Sequence, residues 1–153
     1  MAVQIPRTPR ELADRVARMV SGEALSFADM FAVDGVLTYP FAAPGTPTEL
    51  RGRESIRSHF AAVADGSGAI FDMAGISSVI RETDDPEVVV AEITHHGRSR
   101  ITGEPYRIAA VGVIRVRAGE IVEYADYMDP VALAVALGRT AALVAALAGS
   151  RDG

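Results

Sequence analysis

Two hydrophobic periods divide the chain. Up to about residue 64, apolar side chains recur every three or four positions, the repeat of a helix with one buried face. From residue 70 to residue 128 they alternate with polar ones, the repeat of a strand. Thr8-Pro9-Arg10-Glu11 predicts a helix start, with Thr8 capping, Pro9 in the first turn and Glu11 closing a capping box. Leu12, Val16 and Met19 give that helix its buried face, and Gly22 its end. A second helix is expected over residues 24–32, with Leu25, Phe27, Met30 and Phe31 as its apolar set. Asp34-Gly35 reads as a turn, residues 36–39 as a strand stopped by Pro40, and residues 42–52 as a loop. A third helix is predicted over residues 53–64, with Ile56, Phe60 and Val63 on one side.

Residues 70–82, 87–98, 106–117 and 120–128 read as four strands. Asp84-Asp85-Pro86, Gly103-Glu104-Pro105 and Ala118-Gly119 are the turns between them. Asp129-Pro130 then starts a helix over residues 131–148. Helices segregated from a run of hairpins predict an α+β domain with a mostly antiparallel sheet. No repeat or composition break divides the chain, so residues 1–153 are expected to form one domain, with loose tails at 1–7 and 149–153.

Alternation sorts the strand side chains onto two faces. Tyr106, Ile108, Ala110, Gly112, Ile114 and Val116 form the inward list of their strand, because the opposite list carries Arg107, Arg115 and Arg117. Val89, Ala91, Ile93, His95 and Gly97 are inward on the preceding strand. Val122, Tyr124, Asp126 and Met128 are taken as inward on the last one. His95 and Asp126 are thus expected on apolar walls, where a carboxylate beside an imidazole can fix its tautomer and shuttle a proton. Mutual hydrogen bonding inside a core would account for the same two residues. Tyr39 and Tyr124 are candidate hydrogen-bond donors to a ligand. Phe27, Phe60, Ile93, Ile108, Ala110 and Met128 are candidate walls.

Composition narrows the chemistry. The chain has no cysteine and no lysine; all 15 basic residues are arginine. Thiol nucleophiles, disulfides, thiolate metal sites and lysine Schiff bases are therefore excluded. The net charge of −5 argues against nucleic acid or an anionic membrane as partner. His95 and His96 leave a strand on opposite sides and cannot share an ion, so no metal is expected. Arg51, Arg53 and Arg57 read as a solvated helix start paired with Glu49 and Glu54. Without a secretion signal or a membrane span, the cytoplasm is the expected location. Val88, Val90, Val111 and Val113 form an apolar patch on the outward face, which predicts a homodimer through the sheet.

Residues 31–37 (FAVDGVL), Tyr39-Pro40-Phe41 and residues 51–57 (RGRESIR) together resemble the SnoaL-like proteins. These belong to the nuclear transport factor 2-like and ketosteroid isomerase-like superfamily. Residues 102–106 (TGEPY) and 116–129 (VRAGEIVEYADYMD) match the later hairpins of that pattern. The resemblance implies a curved sheet wrapped by three amino-terminal helices and a carboxyl-terminal helix into a cone, with an apolar pocket. It also implies isomerase, polyketide cyclase, epoxide hydrolase or dehydratase chemistry without a cofactor, or ligand binding alone. The family's base aspartate falls on Tyr39 and its oxyanion aspartate near Gly112, so that pair of groups is absent. Compared with limonene epoxide hydrolase, one catalytic aspartate falls on Asp126. The arginine and second aspartate of that enzyme fall on Ile93 and His95. The resulting expectation is an acid–base enzyme using His95 and Asp126 on a small, mostly apolar oxygenated substrate. The alternative is a ligand-binding or dimeric interaction module without chemistry.

Overall fold

The computed structural model describes residues 8–19, 27–67 and 70–150. The tail at 1–7, the helix end at Gly22, the first part of the predicted second helix and residues 151–153 lie outside the described residues. So do the side chains of Met19 and Val63.

Helix α1 (Pro9–Met19) begins as its capping box dictates. The Glu11 amide donates to Thr8 Oγ1 at 3.2 Å, and the Thr8 amide donates to Glu11 Oε2 at 3.0 Å. Its Leu12, Ala13, Val16 and Ala17 are buried against the sheet. The expected second helix is corrected. Among the described residues of that stretch one 3₁₀ turn forms, Phe27–Met30, and strand β1 starts at once, Phe31–Thr38. Phe31 and Ala32 therefore belong to a strand. The reason is tertiary: β1 runs parallel to the last strand, with Phe31 opposite Ile121 and Leu37 opposite Tyr124. Asp34-Gly35 is a bulge within it rather than a turn. A Cβ on Gly35 would lie 2.8 Å from the Ile121 carbonyl oxygen, so only glycine fits there.

Part of the predicted loop is also ordered, as the short strand β2 (Glu49–Arg51), paired with β1. Helix α2 (Arg53–Ser67) follows. Its first-turn arginines are paired as a solvated helix start requires. Arg51 meets Glu49, Arg57 meets Glu54 and Asp29, and Arg53 reaches Glu120 at 2.8 Å.

Strands β3 (Phe71–Glu82), β4 (Val88–Ser99), β5 (Pro105–Arg117) and β6 (Glu120–Met128) complete a six-stranded curved sheet in the order β2-β1-β6-β5-β4-β3. Every pair is antiparallel except β1 with β6. Burial alternates on β4 and β5 as the sequence predicts: Val89, Ala91 and Ile93 face in, as do Tyr106, Ile108, Gly112, Ile114 and Val116. On β6 a register shift opposite Arg115 and Val116 places Ile121, not Val122, in the core, while Tyr124 stays buried. The predicted last helix is two, α3 (Pro130–Ala136) and α4 (Thr140–Gly149). Gly138 between them has φ +66°, a left-handed conformation that glycine adopts without strain. Asp129 caps α3 by accepting from the Val131 and Ala132 amides. The result is a mixed sheet with α1, α2 and α3 packed on it, an α+β architecture.

Candidate functional site

Strand register decides which inward groups meet. Gly112 on β5 stands opposite Asp126 on β6 and opposite Ala91 on β4. Tyr124 lies two residues before Asp126, on the same face of β6, and Leu37 of β1 is its parallel partner. Continuing that register by two residues sets Tyr39 beside Asp126. Each fact is local, and together they gather one carboxyl and two phenols at the end of β1 and β6.

The electrostatics follow from burial. Loss of solvent pushes the Asp126 carboxyl up to about 6. Burial also raises both tyrosines, and the Asp126 charge raises them further, so each stays a neutral O–H donor. Among the described residues, neither the Asp126 carboxyl nor the Tyr39 and Tyr124 hydroxyls have a hydrogen-bond or ion-pair partner. Buried polar groups are nearly always satisfied by the protein itself. None of these three groups has an oxygen that is wholly buried without a partner, so all three stay open to solvent or to a ligand.

Space for Tyr124 comes from Gly112. A Cβ there would lie 2.7 Å from the Tyr124 hydroxyl oxygen, so the ring tip occupies the volume a side chain would take. Aromatic rings pack around Tyr124. Phe27 packs edge-on against Tyr124 at 5.6 Å, and against Phe60 and Phe31 at 5.1 Å. Phe27, Ala28, Arg57, Phe60 and Ala61 border an open cleft of about 250 Å³ between the 3₁₀ turn and α2. His59, one residue before Phe60, lies 6.4 Å from the Tyr39 ring and 5.2 Å from Phe60. Its place was readable in the sequence: position 59 is three residues after Ile56, on the same helix face as Phe60.

His95 does not join Asp126. Its strand partner is Ile108, four residues from the Gly112 that faces Asp126, or about 13 Å along the strand direction. It meets Tyr106 instead, with Nδ1 3.2 Å from the phenol oxygen. Phe71 covers both rings, 6.2 Å from His95 and 4.5 Å from Tyr106. Burial first, and the neighbouring His96 second, lower the His95 pKa and keep the ring neutral. The expected His95–Asp126 pair is thus corrected, because alternation fixes the face of a side chain and not its position along the strand. Of the candidate walls, Phe27 and Phe60 lie at the Asp126 end. Ile108 and Met128 pack with Tyr106 and α3 at the His95 end. Ile93 and Ala110 occupy the rung between, opposite each other.

Comparison with known proteins agrees with this architecture. Residues 12–124 match the SnoaL-like domain. An uncharacterized PhzA/B-like protein of Pseudomonas aeruginosa is 30% identical over 118 residues, covering 77% of this chain and 81% of the relative. The solved structure of a Bacillus subtilis protein, provisionally called an isomerase, superposes with a TM-score of 0.71 at 25% identity. The match covers 83% of this chain and 91% of that one. A Mesorhizobium loti protein, provisionally called a SnoaL-like polyketide cyclase, shares the fold with a TM-score of 0.55 at 20% identity. It covers 78% of this chain and 98% of that one. With the matched domain spanning most of the sheet and α1, the chain belongs to the SnoaL-like family.

Proposed function

We propose that the protein is a cofactor-free acid–base enzyme of the isomerase or cyclase type, acting on a small, mostly apolar oxygenated substrate. The observation that carries this reading is the convergence of the Asp126 carboxyl, raised to about 6 by burial, with the Tyr39 and Tyr124 phenols. A carboxyl near 6 is largely ionised at neutral pH and is a stronger base than an ordinary aspartate. It removes a proton from carbon next to a carbonyl. Tyr39 and Tyr124 donate to the carbonyl oxygen as negative charge develops there. Asp126 returns the proton to another carbon of the enolate, which is isomerisation, or the enolate attacks a second carbonyl of the same molecule and the alkoxide so formed takes the proton back from Asp126, which is ring closure. The three named groups suffice for either path.

The test is deuterium incorporation at the α-carbon of a panel of cyclic ketones and enones in D₂O. Wild type is expected to accelerate exchange, with a rate that rises as pH rises through about 6. Asp126→Asn is expected to lower it by about 10²–10⁴-fold. Undiminished exchange in a folded Asp126→Asn variant rejects the assignment and leaves a pocket that binds without chemistry.

The assembly expected from the sequence, a homodimer through the sheet, is part of the same proposal. The outer face carries a cleft of about 420 Å³ lined in part by Val36, Val88, Val113 and Ala125, with Glu49, Arg51, Arg115 and Glu123 among its walls. Sedimentation is expected to give a dimer for wild type and a monomer for Val113→Glu.

A further inference from the structure

We propose that the outer face of the sheet docks on the same face of a second copy, with the Phe41 ring of each copy seated in the outer cleft of the other. The proposal rests on the sheet-face dimer proposed above, and it names the contact that seats it.

A knob stands beside a hole on this face. Phe41, in the turn after β1, is 60% exposed, and Tyr127 holds it edge-on at 5.1 Å between ring centroids. Tyr127 points outward on β6, opposite Val111 of β5. Ala125, two residues away on the same face, already borders the outer cleft. Val36, Val88, Val113 and Ala125 form the apolar surface of that cleft, and Arg51 and Arg115 stand at its sides. Phe41 of the same chain does not line it. A cavity of about 150 Å³ holds a benzene ring, so a cleft of about 420 Å³ accepts a phenyl side chain. Guanidinium groups at its sides favour an aromatic ring over an aliphatic one.

A two-fold axis brings the knob to the hole. Two such sheets pack face to face with their mean strand directions within about 30° of each other. Let the axis cross the strands between the Val111 and Val113 levels. Positions along the strands are then reversed between the copies, and positions across the sheet are kept. Val111, 36% exposed, meets the partner's Val113. Tyr127 and Phe41 meet the partner's Ala125 and Thr38, because Ala125 stands opposite Val113 and Thr38 opposite Ala125. Thr38 borders the cleft as well.

Charge selects the same orientation. At the β4–β5 hairpin end of the face, Arg98, Arg100 and Arg107 outnumber Asp72 and Glu104. Asp72 is taken by Arg100, and among the described residues Arg107 has no ion pair and Arg98 meets only the Gly103 carbonyl. At the opposite end, Arg115 and Arg117 serve Asp85, Glu87 and Glu123, and Asp84 in the adjoining turn adds to the negative excess. Arg107 lies four residues before Val111, and Arg117 four residues beyond Val113. The reversal therefore sets the positive end of one copy over the negative end of the other. An axis along the strands would set like over like.

The test uses wild type first. In a dimer mixed from ¹³C-labelled and unlabelled copies, filtered NOE spectra are expected to connect the Phe41 ring protons of one copy with the Val88 and Val113 methyls of the other. In sedimentation, Phe41→Ala is expected to weaken the dimer by about tenfold or more, and Phe41→Leu by less. Raising sodium chloride from about 0.05 M to about 0.5 M is expected to weaken the wild-type dimer. A wild-type dimer without those NOEs overturns the proposal, and so does Phe41→Ala dimerising as tightly as wild type. A dimer indifferent to salt overturns the opposed-end orientation. Monomeric Val113→Glu together with undiminished Phe41→Ala removes this proposal and leaves the sheet-face dimer standing. A monomeric wild type, or a dimeric Val113→Glu, removes both.

Discussion

Asp126 and His95 share the inner face of one sheet, four residues apart along the strand direction, and the protein treats them in opposite ways. His95 is supplied with a hydrogen-bond partner in Tyr106 and a ring cover in Phe71. Asp126 is supplied with two phenols that it does not hydrogen-bond and with no counter-charge. Both are shifted towards their neutral forms by burial. Only His95 has a hydrogen-bond partner within the protein. A polar pair that satisfies itself adds to stability and specifies packing. A polar group left open costs stability, and its retention in an otherwise apolar wall points to a ligand.

The largest expected effect that tests this contrast is at Asp126. Its pKa is near 6 in the folded chain and about 3.9 when unfolded. Between those values the folded state binds more protons than the unfolded one, so the Asp126 contribution to stability falls as pH rises through this window. Above pH 6 the full penalty is present, about 2–3 kcal/mol for a shift of that size. Asp126→Asn removes it. Denaturation in urea is expected to show the variant more stable than wild type by about 2 kcal/mol at pH 7.5 and nearly equal to it at pH 4. Loss of exchange activity together with that gain separates a functional acid from a structural one. A variant less stable at both pH values would put Asp126 in the same class as His95.

Gly112→Ala comes next. The added methyl meets the Tyr124 hydroxyl oxygen at 2.7 Å and Cζ at 2.9 Å. The β5 backbone is held by ladders on both sides, so the ring must tilt. Overpacking of this kind costs about 1–3 kcal/mol. The displaced hydroxyl is expected to lower deuterium exchange by about tenfold or more, while His95 keeps its own titration. Thermal denaturation and ¹H NMR of the histidine rings check both halves. A variant with unchanged exchange would remove Tyr124 from the oxyanion role.

The sequence carried some of this contrast and not the rest. Faces were legible, because arginines at alternate positions of β5 leave the even-numbered list nowhere to go but inward. The turn at Ala118-Gly119 was legible too, both residues having positive φ in a two-residue hairpin. The contact of Tyr39 with the Asp126 site was not, because it depends on a parallel pairing between segments some 85 residues apart. The early start of β1 was hidden by Asp34-Gly35, whose turn chemistry serves equally for a bulge. The His95–Asp126 pairing failed for a related reason: the β5–β6 register sets Asp126 opposite Gly112 and so far from Ile108. Counting back from the Ala118-Gly119 turn sets Ala125 opposite Gly112, and the bulge opposite Arg115 and Val116 moves the pairing by one residue to Asp126, a step that neither the turn nor parity announces.

Tyr106→Phe is expected to have the smallest effect, and it sharpens the contrast from the other side. The substitution keeps the ring against Phe71 and removes only the hydroxyl that meets His95 Nδ1. Loss of one such bond costs about 0.5–1.5 kcal/mol. Burial, and not this bond, is the first cause of the lowered His95 pKa. A histidine whose folded pKa lies below its unfolded value of about 6.5 makes the protein less stable as pH falls below that value. This is the opposite sign to the Asp126 contribution. Tyr106→Phe should therefore lower the urea midpoint at every pH without removing the His95 limb of the stability curve, and it should leave deuterium exchange unchanged. A tenfold loss of exchange in this variant would show that the His95 end serves the reaction after all, and the division of the inner face into one satisfied and one open cluster would fall with it.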